Sequence, residues 1–111
     1  ANPSSSQAAM DAFAAKGHAS PLLIMGDMAE LGDASLDAHQ RIINLAVEHE
    51  VELWTIGAWF GKARQASQSD HPHFDAVDDL MDSSLLSGLS NRQILIKGSR
   101  SMALEQLMPA L

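Results

Sequence analysis

Two short stretches of this chain carry side chains able to do chemistry. In the first, Gly26-Asp27-Met28-Ala29-Glu30-Leu31-Gly32, two carboxylates sit between glycines directly after an apolar run. In the second, Lys97-Gly98-Ser99-Arg100-Ser101, two cations and two hydroxyls stand where a strand pattern gives way to a helical one. A helix start offers free N–H groups, and together with Lys97 and Arg100 it suits an anion, either carboxylate or phosphate. Those two cations are also 2 of only 7 basic side chains. Each stretch has a plainer alternative. The first can be a βα turn with a solvated Asp and a Glu favoured by the helix dipole. The second can be a helix cap flanked by surface cations.

His39 is a third candidate. It lies three residues after Leu36 and four before Ile43, on the inward side of a predicted helix and near its N-terminus. That end abuts the strand carrying Asp27, so His39 can reach the Asp27 loop; a half-buried core histidine is the alternative. Other patterns fall short. Gly57-Ala-Trp-Phe-Gly61-Lys62 is one residue short of a phosphate-binding P-loop and lacks the Ser or Thr after Lys. His71-Pro72-His73 sits in a loop with no third metal ligand in prospect. Trp54 and Trp59 read as packing residues, and Asp78, Asp79 and Asp82 as a solvated helix face. No spacing signals a nucleophile with its base, so no catalytic residue and no metal ligand is assigned.

The elements that position these residues follow from the hydrophobic pattern. Asn2-Pro3 reads as a helix start, with Asn2 as the cap. Ala9, Met10, Phe13 and Ala14 form the helix's apolar face, and Gly17 ends it. The continuous apolar run 21–25 predicts a strand buried on both faces. A second helix is predicted over 34–50, with Leu36, Ile43, Ala46 and Val47 inward. Strands follow over 53–56, 73–75 and 93–97, with helices over 59–68, 78–87 and 102–111. The helix over 78–87 is read as using Leu80, Met81 and Leu85. This alternation predicts an α/β fold, a parallel sheet covered by helices on both faces. Ligands of such a sheet bind outside the carboxyl ends of its strands, which is where Asp27 and Lys97 fall.

Composition narrows the function classes. The chain has 111 residues, 46% of them hydrophobic and 19% charged, which suffices for one domain with a core. Seven Lys and Arg against fourteen Asp and Glu give a net charge of −7, which argues against a nucleic-acid surface or a basic membrane face. The absence of Cys removes disulfides and thiol chemistry. No apolar run is long enough to span a bilayer and the start has no signal-peptide pattern, so a cytoplasmic location is expected. Both ends read as cut from a larger protein.

Taken in order, Ala1-Asn2-Pro3, the Gly26–Gly32 stretch, His39 and Lys97-Gly98-Ser99-Arg100 resemble the C-terminal domain of the Mur ligases over essentially the whole chain. The resemblance is to the branch that joins D-alanyl-D-alanine to UDP-N-acetylmuramoyl-tripeptide in peptidoglycan synthesis. It implies a Rossmann-like three-layer α/β/α domain spanning 1–111, with a four-stranded parallel core sheet and the domain's N-terminal strands missing. It further implies the strand order fourth, first, second, third. The ligase chemistry runs through an acyl phosphate and uses ATP and Mg2+, held by N-terminal and central domains outside this chain. No cofactor is expected on the chain alone, which is expected to be inactive. By the same resemblance Lys97, Ser99 and Arg100 lie near the D-alanyl-D-alanine carboxylate. Asp27, Met28 and Glu30 face the same cleft, with Asn2 and His39 in support. The competing readings are a stand-alone flavodoxin-like or receiver-like binding module and a small nucleotide hydrolase; the lack of a phosphate-binding loop argues against the latter.

Overall fold

The structure, a computed structural model, describes residues 3–17, 20–29, 31–89, 92–98 and 104. The elements are α1 (Pro3–Ala15), β1 (Leu22–Gly26), α2 (Ser35–Glu48), β2 (Glu52–Ile56), α3 (Ala58–Ala66), β3 (His73–Phe74), α4 (Val77–Met81) and β4 (Ile94–Lys97). Short 3-10 turns precede α2 (Gly32–Ala34) and follow α4 (Ser84–Gly88). The helix expected over 102–111 and the cap expected at Asn2 lie outside the described residues.

All four strands pair in parallel, in the order β3-β2-β1-β4. The expected order is therefore observed. β1 sits inside the sheet and is buried along its whole length. Its alternate side chains feed two separate cores. Leu23 and Met25 pack with Met10, Ile42, Ile43, Ala46, Phe60 and Ala63, from α1, α2 and α3. Leu22 and Ile24 pack on the other face with Trp54, Ile56, Val77, Leu80, Leu89 and Leu104. Three layers result. The chain crosses from one helical face to the other between β3 and β4, which makes the gap between the ends of β1 and β4 a topological switch point.

Two parts of the sequence reading are corrected. In α2 the buried residues are Ser35, His39, Ile42, Ile43 and Ala46, a stripe at helical spacing. Leu36 lies on the flank, and Val47 is 73% exposed. The helix expected over 78–87 stops at Met81 because serines compete for its backbone. The Ser83 hydroxyl donates to the Leu80 carbonyl at 2.8 Å, and Ser87 does the same to Ser84 at 2.7 Å. The Leu85 amide in turn donates to Ser83 Oγ at 3.3 Å. Of the three apolar residues assigned there, Leu80 is 0% exposed, whereas Leu85 is 40% exposed and Met81 lies near the surface.

This difference is measurable. Leu80→Ala removes a fully buried side chain and should cost about 2–5 kcal/mol, whereas Leu85→Ala should stay within about 1 kcal/mol. Urea unfolding of both variants checks it, and equal losses would restore the longer helix.

Candidate functional site

The loops after β1, β2 and β4 meet at the carboxyl edge of the sheet. β1 and β4 run in register there, with Met25 opposite Lys97. Immediately beyond, Gly98 leaves no room for a side chain. A Cβ on it would lie 3.2 Å from the Gly26 Cα and 2.6 Å from a Leu104 methyl. The two backbones thus approach face to face at the switch point. Lys97 is half-buried at this edge, and none of the ion pairs among the described residues uses it. Ser99, Arg100 and Glu30 lie outside the described residues, so the structure brings together Lys97, Asp27, Met28 and His39 from the expected set.

Asp27 has an unexpected occupation. It is 7% exposed. Its Oδ2 accepts the Trp59 amide at 2.9 Å and its Oδ1 accepts the Phe60 amide at 3.0 Å. Those are free N–H groups of the first turn of α3, a helix whose own N-cap, Gly57, has no side chain to offer. The carboxylate of one loop therefore caps the helix of the next, and the helix dipole favours its charge. Gly57 makes room for it. Its φ is 118°, and a Cβ there would lie 2.4 Å from the Asp27 carboxyl carbon.

His39 fixes the neighbouring backbone. The Met28 amide donates to its Nε2 at 3.0 Å, so that nitrogen carries a lone pair. The ring proton is then on Nδ1, which donates to the Ser35 carbonyl at 2.5 Å. His39 is thus a neutral, wholly buried pin between α2 and the loop after β1. Its Nε2 is also 3.9 Å from Asp27 Oδ1, but in this tautomer the two do not form a charged pair. The Phe60 ring meets the imidazole edge-on at 4.6 Å, and the Trp59 ring stacks beyond it at 6.2 Å. The sequence expectation that His39 reaches the Asp27 loop agrees with this geometry. Asp27 and Met28, expected to face the same cleft, have internal roles here. Both oxygens of Asp27 are used on α3, and Met28 is 1% exposed in the core. The role of Gly57 was missed, since nothing in its neighbourhood marks it except a glycine where a capping Ser or Asp would be usual.

Both nitrogens of His71 and the Nδ1 of His73 are engaged within the fold. His71 Nε2 and His73 Nδ1 each lie 2.8 Å from the Thr55 hydroxyl, and Ser69 Oγ is 2.6 Å from His71 Nδ1. Arg64 on α3 donates to the His71 carbonyl at 2.7 Å. Among the described residues no group of three His, Asp or Glu could hold a metal ion. A cavity of about 170 Å³ next to this cluster, lined by Val47, Val51, Leu53 and His71, lies near the start of β2 and away from the strand-end cleft.

A parallel sheet with a switch point, closed by facing glycines and edged by Lys97, together with the chain's relatives, defines an α/β domain of the Mur ligase type. More particularly, the chain is similar over its whole length to the UDP-N-acetylmuramoyl-tripeptide--D-alanyl-D-alanine ligase of Treponema pallidum (strain Nichols), at 33% identity over 120 residues. Two crystal structures of MurF from Acinetobacter baumannii share the fold. Their TM-scores are 0.76 and 0.78, at 25% and 24% identity, over 98% of this chain. The chain spans 26% of the length of the first relative and 25% of the other two, consistent with a C-terminal piece of such an enzyme. No protein-family model matches it. No helix among the described residues is long and apolar enough to cross a membrane.

The histidine cluster gives a pH dependence. Burial, then the charges of Arg64 and His73, push His71 down from 6.5 to about 4, against the opposing pull of Asp70. Burial also lowers His73, against Asp75. The folded state therefore prefers neutral rings, while the unfolded chain takes up protons below its ordinary value. The stabilisation is complete above pH 6.5 and is lost as pH falls towards 4. Partial exposure reduces it to about 1–2 kcal/mol. Urea midpoints measured across that window should fall less steeply for His71→Gln than for the parent chain, and parallel slopes would contradict the assignment.

Proposed function

We propose that this chain is the C-terminal substrate-binding domain of an ATP-dependent ligase that joins D-alanyl-D-alanine to UDP-N-acetylmuramoyl-tripeptide. The observation that carries the reading is the likeness to such a ligase along the entire chain. The half-buried Lys97 at the switch point supports it, because a cation with no acidic partner among the described residues suits a substrate carboxylate at a strand end. Ser99 and Arg100 follow it in sequence and are proposed to complete the carboxylate site, with Glu30 and Asn2 at its margins.

The described residues do not fit Mg2+, and the sequence lacks a P-loop for ATP. The described residues lack a three-ligand acidic or histidine cluster, and the Gly57 to Lys62 stretch lacks the hydroxyl residue of a P-loop. In this reading both belong to the other domains of the longer protein, and the isolated chain makes no product. The chain's own task is positional. It holds the dipeptide carboxylate so that the amine at the dipeptide's far end meets the activated acyl group, and misplacement there costs rate as well as affinity. A receiver-like module would need Asp27 free in an acidic pocket, and its carboxylate is engaged on α3.

Arg100→Ala in the longer protein tests the reading. A guanidinium can grip a carboxylate with two parallel hydrogen bonds. Losing it should cost about 1.5–3 kcal/mol, roughly ten- to a hundredfold in kcat/KM for the dipeptide. The loss for ATP and the UDP-tripeptide should be smaller, and Arg100→Lys should recover only part. Steady-state kinetics varying each substrate in turn reads this out. A loss confined to ATP would overturn the placement, and product formation by the 111-residue chain alone would overturn the division of labour.

A further inference from the structure

We infer that Asp27 is a positioning residue: its carboxylate fastens the first turn of α3 to the loop after β1, and so sets the side of the strand-end cleft that carries Trp59 and Lys62. The inference rests on the ligase reading for its kinetic consequence, but the fastening itself does not.

The geometry leaves the carboxylate little capacity for a substrate. One oxygen takes the Trp59 amide and the other takes the Phe60 amide, at 2.9 and 3.0 Å. His39 lies against its inner side and holds the next residue's amide. Gly57 closes the remaining side, since even a methyl there would fall 2.4–2.5 Å from the carboxylate atoms. What Asp27 places is a half-buried indole at the ligand edge, beside the loop after β1. The Lys62 ammonium sits over that indole, 4.5 Å from the ring centre. With the fastening lost, α3 keeps its remote anchor, Arg64 to the His71 carbonyl, and its first turn is free to shift. A shift of about an ångström in a substrate-aligning wall is enough to lower turnover severalfold to a hundredfold.

Two measurements test this. In the 111-residue chain, NMR should show the Trp59 and Phe60 amide protons shifted downfield and protected. Asp27→Asn keeps one acceptor but loses the charge. It should move both resonances upfield and speed their exchange about tenfold, leaving the β1–β2 amides unchanged. In the longer ligase, Gly57→Ala touches no substrate yet displaces the carboxylate. It should lower kcat about as much as Asp27→Asn does, and the double variant should be no worse than the poorer single one. KM for each substrate should change little. If Gly57→Ala does not fold, Asp27→Asn and Asp27→Glu carry the test: their kcat losses should follow the size of the amide shifts. Unmoved amides in Asp27→Asn overturn the inference. So does a loss confined to one substrate's KM, or multiplicative losses in the double variant. A longer protein that makes no product even as wild type sinks the ligase reading alone, and the amide response then still decides the fastening.

Discussion

The architecture depends on one strand being apolar on both sides. β1 has neighbours on both edges and helices on both faces, so none of its side chains meets water. Each of Leu22, Leu23, Ile24 and Met25 is at most 1% exposed, and burying such a side chain contributes about 1.5–3 kcal/mol. Because its alternate residues serve two cores, β1 cannot slip by one position without exchanging the two sets. Its end at Gly26 is therefore fixed, and so is the point where the chain emerges to form the Asp27 loop. Every distance at the cleft is referred to that point.

At the cleft the groups divide by use. Asp27, Met28 and His39 are consumed in holding the loop and α3 together, while Lys97 is left without an acidic partner among the described residues. At 26 and 98, facing glycines let the backbones beyond β1 and β4 pass close to each other and to Leu104. A second set of polar contacts, through Thr55, His71 and His73, fastens the edge strand β3 to β2 beneath α3.

Much of this was legible in the sequence, for identifiable reasons. Strands ended by glycine, such as 22–26 and 53–57, and above all the continuous apolar filling of the first, announce a parallel sheet because only two-sided burial tolerates such a run. The inward position of His39 followed from helical spacing alone. The length of α4 did not, because Met81 and Leu85 fit a helical period while the intervening serines compete through side-chain hydrogen bonds that a period does not register. Val47 was misplaced because several helical faces contain four apolar residues and only the sheet decides which is covered. The occupation of Asp27 was beyond reach, since its partners lie 32 and 33 residues away. A carboxylate in a strand-end loop looks the same in sequence whether it awaits a ligand or holds a backbone.

That separation has a consequence for how the chain acquires its fold. α3 has nine residues, too few to persist alone in water, and its stop and start signals are unequal. Its C-terminal end closes through local backbone bonds from Ser67, but its beginning is completed only by a residue from the far side of α2. The first turn of α3 is therefore capped only where the loop after β1 and the end of β2 have been brought together. Opening of the β1–β2 pair would therefore also uncap the helix beside the strand ends.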